Sequence, residues 1–342
     1  MKCLSRIFFI SIIFFFFCCD SPDVKEVDLR FDRFDQELFL LDKNNIYQEL
    51  NDLRNQFPDF SQVFEERIIK KGDMEDYEYA VELLTFINHP DMREVYDSVA
   101  SMYSNISEFK QELNDAFTLI HYVFPDIKPP KITAFFGGFN YGVITYESSC
   151  VDSLYLCPSN NIGIGFEYFF GSNSKYYKLL GYPEYLRFQK QKRFINSNVI
   201  EAWFNANFTE YLQGKDFLSK MIYKGKIMFL INYALPSFSL EDKFRFSDNQ
   251  MNWVIKNENN IWKYFIENEF LYSSVEKDFR SFLNHAPYAK GMPKDSPGRI
   301  AYFIGYQIVS DYMKNTGSTV NELIVQTDSK KILHNSKYKP KK

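Results

Sequence analysis

Residues 131–165 read KITAFFGGFNYGVITYESSCVDSLYLCPSNNIGIG, and this stretch decides the fold class. Lys131–Phe136, Val143–Glu147 and Ser153–Leu156 are short β-branched or aromatic runs. Gly137-Gly138, Gly142 and a Ser/Cys/Asp turn separate them, the pattern of strands in one small sheet. Ile162-Gly163-Ile164-Gly165 adds a further strand or an approach loop. A hairpin of Val143–Ser149 with Ser153–Leu156 would turn near Val151-Asp152 and oppose Cys150 to Ser153. Cys157 then lies several rungs away at about 3.3 Å per residue, beyond disulfide reach. Two separate, unbridged cysteines are the expectation.

Helical period dominates on both sides. Phe31, Phe34, Leu38 and Leu41 follow i, i+3, i+7, i+10, one apolar stripe of a helix. Ile46, Leu50 and Leu53 continue it until Pro58 forces a break. Further helical patterns cover Glu75–Ile87, Asp91–Ser101 and Ile106–Phe124, and Pro129-Pro130 closes that half. Beyond the strands, Val199, Ile200, Trp203, Phe204, Phe208, Tyr211 and Leu212 make a broad stripe with Asn196 or Ser197 as N-cap. Phe217–Ala234 runs to a stop at Pro236, and Met251, Val254, Ile261 and Phe265 line another helix. Ser296-Pro297 reads as a cap followed by Pro at N1 for a helix over Arg299–Lys314 ending near Gly317. The expected fold is α+β, a predominantly helical single domain around a small β-sheet.

The N-terminus sets the compartment. Lys2 and Arg6 precede an apolar run from Ile7 to Phe17, interrupted by Ser11 and followed by Cys18-Cys19-Asp20-Ser21-Pro22. A basic start and a short apolar core have the layout of a secretory signal. As a helix the run is roughly 16 Å long, against about 30 Å of hydrocarbon in a bilayer, so it cannot span. Ending in cysteine, it looks like a bacterial lipoprotein signal cleaved just before the acylated thiol. Cys19 is the preferred lipidation site because small Cys18 precedes it, whereas Cys18 would follow bulky Phe17. This divides the chain into a signal at 1–18, a tether at 19–26 and one domain at 27–342.

Composition narrows the function. Of 342 residues, 40 are Lys or Arg and 44 Asp or Glu, a formal charge of −4, which gives no electrostatic footprint for nucleic acid. The aromatic share of 18% is spread along the whole chain and reads as a compositional bias. His89, His121, His285 and His334 are too far apart for two to face a metal from one helix at i, i+4. Neither the nucleophile elbow, the P-loop nor the dinucleotide glycine motif is present. Glu258, Glu267 and Glu269 read as a solvated helix face. No catalytic residue, cofactor or metal is expected. One charge is oddly placed: Arg299 opens a helix, whose dipole disfavours a cation there. It is either salt-bridged to Asp295 or another carboxylate, or part of an anion or partner site with the helix-start amides.

Several segments together carry a family resemblance. Arg30-Phe31-Asp32-Arg33-Phe34-Asp35-Gln36-Glu37-Leu38-Phe39 after a lipidated Cys resembles the opening of the gliding-motility lipoprotein GldB family of Bacteroidota. The likeness continues through Ile162–Gly171, Gly181-Tyr182-Pro183, Lys220–Lys226, Trp253, Glu258–Trp262, Ser296–Ile300, Gly305–Val309, Tyr312-Met313 and Ser336–Pro340. The layout is also distantly similar to zincin-type metallopeptidases, which would make it zincin-like but degenerate. The nearest register sets Ile200, Glu201 and Phe204 where such enzymes carry His-Glu-x-x-His, and Lys224 where a third ligand stands. Ile and Phe have no lone pair for zinc, and a Lys would repel it.

The resemblance implies a lipid-anchored, periplasm-facing envelope protein needed for gliding and the associated type IX secretion machinery. It would act as a non-catalytic scaffold whose partners are the membrane, through its lipid, and other envelope proteins. An atypical zincin-related hydrolase and an anion- or glycan-binding module are the alternatives. Asp20 after the lipid cysteine resembles an inner-membrane retention signal, a slight lean between the two membranes.

Overall fold

The computed structural model describes residues 25–70, 76–147 and 161–341. Four strands occur among them: β1 (Phe31–Arg33), β2 (Ile132–Phe135), β3 (Val143–Tyr146) and β4 (Asn161–Gly165), in the order β1-β2-β4-β3. β1 and β2 pair in parallel, as do β2 and β4, while β3 runs antiparallel to β4. Every residue of β2 and β4 is buried, as expected of parallel strands covered on both faces. Of the two readings of Ile162–Gly165, the strand is the correct one, and it is β4 that pairs with β3. Ser153–Leu156, Cys150 and Cys157 lie outside the described residues, as do Cys18, Cys19 and the whole signal.

The expected helix over Phe31–Leu41 is a correction. Phe31 lies in β1, and Ile132 N donates to Arg30 O at 2.9 Å. Pairing with β2 overrides a helical spacing that only four residues supported. The helix proper is Phe34–Leu40, burying Phe34 and Leu38. Arg33 fixes the strand-to-helix turn, with Nε 2.8 Å from Asp35 Oδ1 and Nη2 2.7 Å from Oδ2, a bidentate fork that only Arg makes. Leu41 leaves the helix, and Asn44 N donates to Asp42 Oδ1 at 2.9 Å, a local turn that competes with helix. Ile46, Leu50 and Leu53 therefore sit on a separate helix, Ile46–Gln56. Pro58 both ends that helix and opens the next, Pro58–Val63, at its N1 position, where the missing N–H costs nothing.

Helices Asp76–Asn88, Pro90–Met102 and Ser107–Val123 follow the expected spans. The other departures lie at helix ends: the stripe expected to reach Leu212 leaves the helix at Phe208, with Tyr211 in a 3₁₀ turn, Thr209–Tyr211, and Leu212 after it. Ile195–Phe208 begins directly from a 3₁₀ turn at Lys192–Phe194, so neither Asn196 nor Ser197 caps it. Asn196 Nδ2 donates to Glu112 Oε2 at 2.7 Å, and Ser197 Oγ donates to Asp242 O at 3.2 Å. The stripe from Met251 to Phe265 spans two helices, Asp248–Lys256 and Glu258–Glu267, parted at Asn257. Asn257 turns its side chain back onto Trp253 O at 3.0 Å. Ser296-Pro297 does not start the late helix, which runs Ile300–Thr316 with Arg299 in the N-cap position. Ser296 Oγ instead accepts from Ala289 N at 3.2 Å. Gly317, in the left-handed region at φ 66°, ends it as expected. Glu258 is a further correction, being buried and accepting from Tyr338 Oη at 2.9 Å. Glu267 and Glu269 are exposed.

The C-terminal half is organised by one crossing. Phe217–Ala234, matching its expected span, packs along Ile300–Thr316, and Gly225 meets Gly305 backbone to backbone. A methyl on Gly225 would overlap the Gly305 carbonyl, and one on Gly305 would overlap the Met221 carbonyl. Both sites bar a side chain.

In an unconstrained helix interior, Gly→Ala stabilises by about 1 kcal/mol. Gly225→Ala and Gly305→Ala should reverse that sign and destabilise by about 1–3 kcal/mol through overpacking. Urea midpoints decide it, since a neutral or stabilising result at either position means the two backbones are not in contact.

Candidate functional site

Ile195–Phe208 is apolar over most of its circumference, burying Val199, Ile200, Trp203 and Phe204. Its remaining face carries Asn198, Glu201, Ala202 and Asn205 into a cavity of about 590 Å³. Other segments complete the walls. The stretch between β4 and this helix supplies Tyr168, Tyr182, Gln189 and Lys190; Leu283, Asn284 and His285 form a rim; Arg245 and Arg299 approach from two helix ends. The volume lies within the range of small-molecule sites.

Glu201 is the centre. Its Oε1 accepts from Tyr302 Oη at 2.9 Å and lies 3.3 Å from Lys224 Nζ. Its Oε2 accepts from Arg245 Nη2 and lies 3.7 Å from Arg299 Nη2. Burial opposes ionisation, but the charges of Arg245, Lys224 and Arg299 and the Tyr302 hydroxyl outweigh it. The Glu201 carboxyl is thereby held well below the usual carboxylate range. The Gly225–Gly305 contact makes this possible, because Lys224 adjoins one glycine and Tyr302 lies one turn before the other.

Both arginines hold a backbone conformation that L-residues avoid. Arg245 has φ 58° and Arg299 φ 62°, each at a helix end. A left-handed residue without glycine's freedom costs about 1–2 kcal/mol, and such strain concentrates at functional sites. Arg299 also donates from Nη1 to Phe244 O at 3.0 Å and packs 3.9 Å from the Tyr302 ring centre. Arg245 Nη1 bonds Asn198 Oδ1. Further along the wall, Lys190 is 3% exposed and rests on aromatic faces, 2.9 Å from the Tyr168 centroid and 4.3 Å from that of Tyr182. Burial lowers its pKa to about 7, against the pull of Glu167. Glu167, fully buried, accepts from Gly137 N at 2.7 Å and Phe139 N at 3.3 Å. Burial still pushes it up to about 7.

Of the residues singled out in the sequence, Arg299 is in the site. Its carboxylate partner is Glu201, while Asp295 is exposed. Glu201 and Lys224 from the zincin-type register are in contact; Ile200 and Phe204 are core residues. Among the histidines only His285 lines this cavity, where enclosure and then Arg299 and Arg245 lower its pKa. His89 accepts from Asp91 N at a helix start, and His121 Nδ1 lies 3.3 Å from Ile127 O. Among the described residues no three His, Cys, Asp or Glu side chains converge as a ligand set. Sequence reading missed Arg245, Lys190 and Tyr302. Arg245 and Lys190 sit among other basic residues that resemble a solvated surface, and no local pattern announces either.

Compared with known proteins, the profile of a family described as Gliding motility protein GldB matches residues 18–340. No curated protein and no solved structure matches the chain. Zincin likeness therefore rests on the residue register alone. Among the described residues no helix is long and apolar enough to cross a membrane.

Removing one partner of a buried charge cluster costs about 3–5 kcal/mol, so Glu201→Gln should destabilise by about that much at neutral pH. The sign with pH follows from the lowered pKa. Glu201 contributes above its unfolded value of about 4.3 and loses that contribution as pH falls through the lower folded value. Urea midpoints should drop less steeply with acid in Glu201→Gln than in the parent. Parallel curves would show that Glu201 is not held by these cations.

Proposed function

The chain belongs to the GldB family of gliding motility proteins, and from that membership we propose that it works as a lipid-anchored scaffold of the cell envelope. In this reading it serves gliding and the associated type IX secretion machinery by holding neighbouring proteins, without catalysis of its own. The observation that carries the proposal is the state of Glu201. Both carboxylate oxygens are engaged by cations and a hydroxyl, and the pKa lies below the carboxylate range. A general base needs a pKa near the working pH, and that of Glu201 is held well below it.

Anchoring follows from Cys19 next to the short apolar leader. A single acyl chain binds a bilayer only marginally, and two or more make the attachment durable. Asp20 supports a place at the inner membrane, with the domain facing the periplasm.

Cys19→Ser should move the protein out of the membrane fraction and abolish acyl labelling, whereas Cys18→Ser should leave both intact. The reverse pattern transfers the lipid to Cys18, and retention by both variants overturns lipid anchoring. Crosslinking in cells should capture other envelope proteins of the gliding and secretion machinery. The purified lipoprotein should contain no stoichiometric zinc and cleave no peptide; metal-dependent cleavage would replace the scaffold reading with a hydrolase.

A further inference from the structure

We propose that the Arg245–Arg299 cavity binds a small organic phosphate, a phosphomonoester dianion carried on a polar body such as a sugar. The inference is independent of the scaffold reading. It starts from charge: Arg245, Arg299 and Lys224 surround Glu201, the one carboxylate paired with them among the described residues, which leaves an excess of two positive charges in the cluster. Lys190 is left out of this excess, since burial lowers its pKa to about 7 against the charge of Glu167.

The second observation is the state of the donors. Arg245 Nε, Arg299 Nη2 and Lys190 Nζ are buried and make no hydrogen bond among the described residues. Their residues are 4%, 2% and 3% exposed, and all three line the same cavity. Buried polar atoms are almost always bonded, and an unsatisfied charged donor costs more than a neutral one. Three residues that line one cavity thus carry donors the protein leaves without an acceptor, as a site for an acceptor-rich anion would. Gln189 Oε1, likewise buried and unbonded, lines the same wall and can accept from a ligand hydroxyl.

Ligand class follows from charge and volume. A phosphomonoester carries close to two negative charges at neutral pH, with three strong acceptor oxygens. It matches the excess of two, whereas a carboxylate would neutralise only half of it. Guanidinium groups suit phosphate oxygens bidentately. A cavity of about 590 Å³ has room for an organic body beyond the phosphate. Tyr168, Tyr182, Asn198 and Asn205 on its walls make the cavity polar, in keeping with a polar body. The backbone strain at both arginines fits a binding role, because it fixes two guanidiniums about one point.

Isothermal titration of the full lipoprotein in a non-ionic detergent tests this with glucose 6-phosphate, inorganic phosphate, glucuronate, glucose and dioctanoyl phosphatidic acid. Glucose 6-phosphate should bind with a Kd of about 1 mM or tighter. Glucuronate should bind at least about tenfold more weakly, and glucose not at all. Tighter binding of phosphatidic acid would place the phosphomonoester on a lipid, and tighter binding of glucose 6-phosphate on a soluble metabolite. Arg299→Gln and Lys190→Gln should each weaken binding by about tenfold, the second serving if the first fails to fold. No saturable binding of any phosphate, glucuronate binding as tightly, or undiminished affinity in a folded Lys190→Gln would each overturn the proposal.

Discussion

Two helix backbones touch at Gly225 and Gly305 with no side chain between them, and the C-terminal half is arranged around that contact. Helices normally pack 8–10 Å apart on intervening side chains. Removing those side chains lets Phe217–Ala234 and Ile300–Thr316 approach more closely than Leu or Ile would permit. One consequence is a large buried interface of Met221, Ile222, Ile304 and Ile308. The other is electrostatic. Lys224 and Tyr302, beside the crossing, converge on one carboxylate of a third helix. Glu201 could not gather these partners if the two helices stood a side chain further apart.

The cluster around Glu201 is poor evidence for stability as such. Taking four charges out of water is costly, and well-packed apolar residues often do better. What it supplies is uniqueness of geometry. Arg245 and Arg299 come from helix ends in left-handed conformations, each bound to Glu201 and to a carbonyl or amide oxygen. A swollen or misregistered core could not satisfy these distances together. The local strain is tolerated because the surrounding contacts over-determine both backbones.

Much of this architecture is legible in the sequence, and the misreadings share a cause. Ile132–Phe135 and Val143–Tyr146 announce themselves by β-branched and aromatic composition. Phe217–Ala234 does so by its length between a capping Asp216 and Pro236. Phe31 was misplaced because a three-residue parallel strand depends on a partner about a hundred residues away, which no local spacing records. Asn196 and Ser197 look like caps but have their hydrogen bonds taken by groups distant in sequence, and Ser296 is taken by Ala289 N in the loop before the helix. Arg299 stood out because a cation at a helix start is locally wrong. Its partner could not be read, since Glu201 lies 98 residues earlier and no periodicity links them. Arg245 needed a left-handed backbone to reach the site, and sequence announces such a conformation reliably only at Gly or Asn.

One arrangement connects the family assignment with the cleft. A carboxylate ringed by three cations stays ionised across the physiological range, so it neither donates nor collects a proton during turnover. It does hold the cations in fixed positions with more positive charge than it neutralises. The positive groups therefore retain attraction for an outside anion, while Glu201, the carboxylate paired with them among the described residues, is already committed. Such an arrangement suits the holding of an anion, as proposed above. On the scaffold reading proposed above, a bound anion would act by occupying or releasing the cleft between Ile195–Phe208 and the late helix. Arg299 lines that cleft and directly precedes the helix of the crossing, so the cleft and the packed helix pair are adjacent.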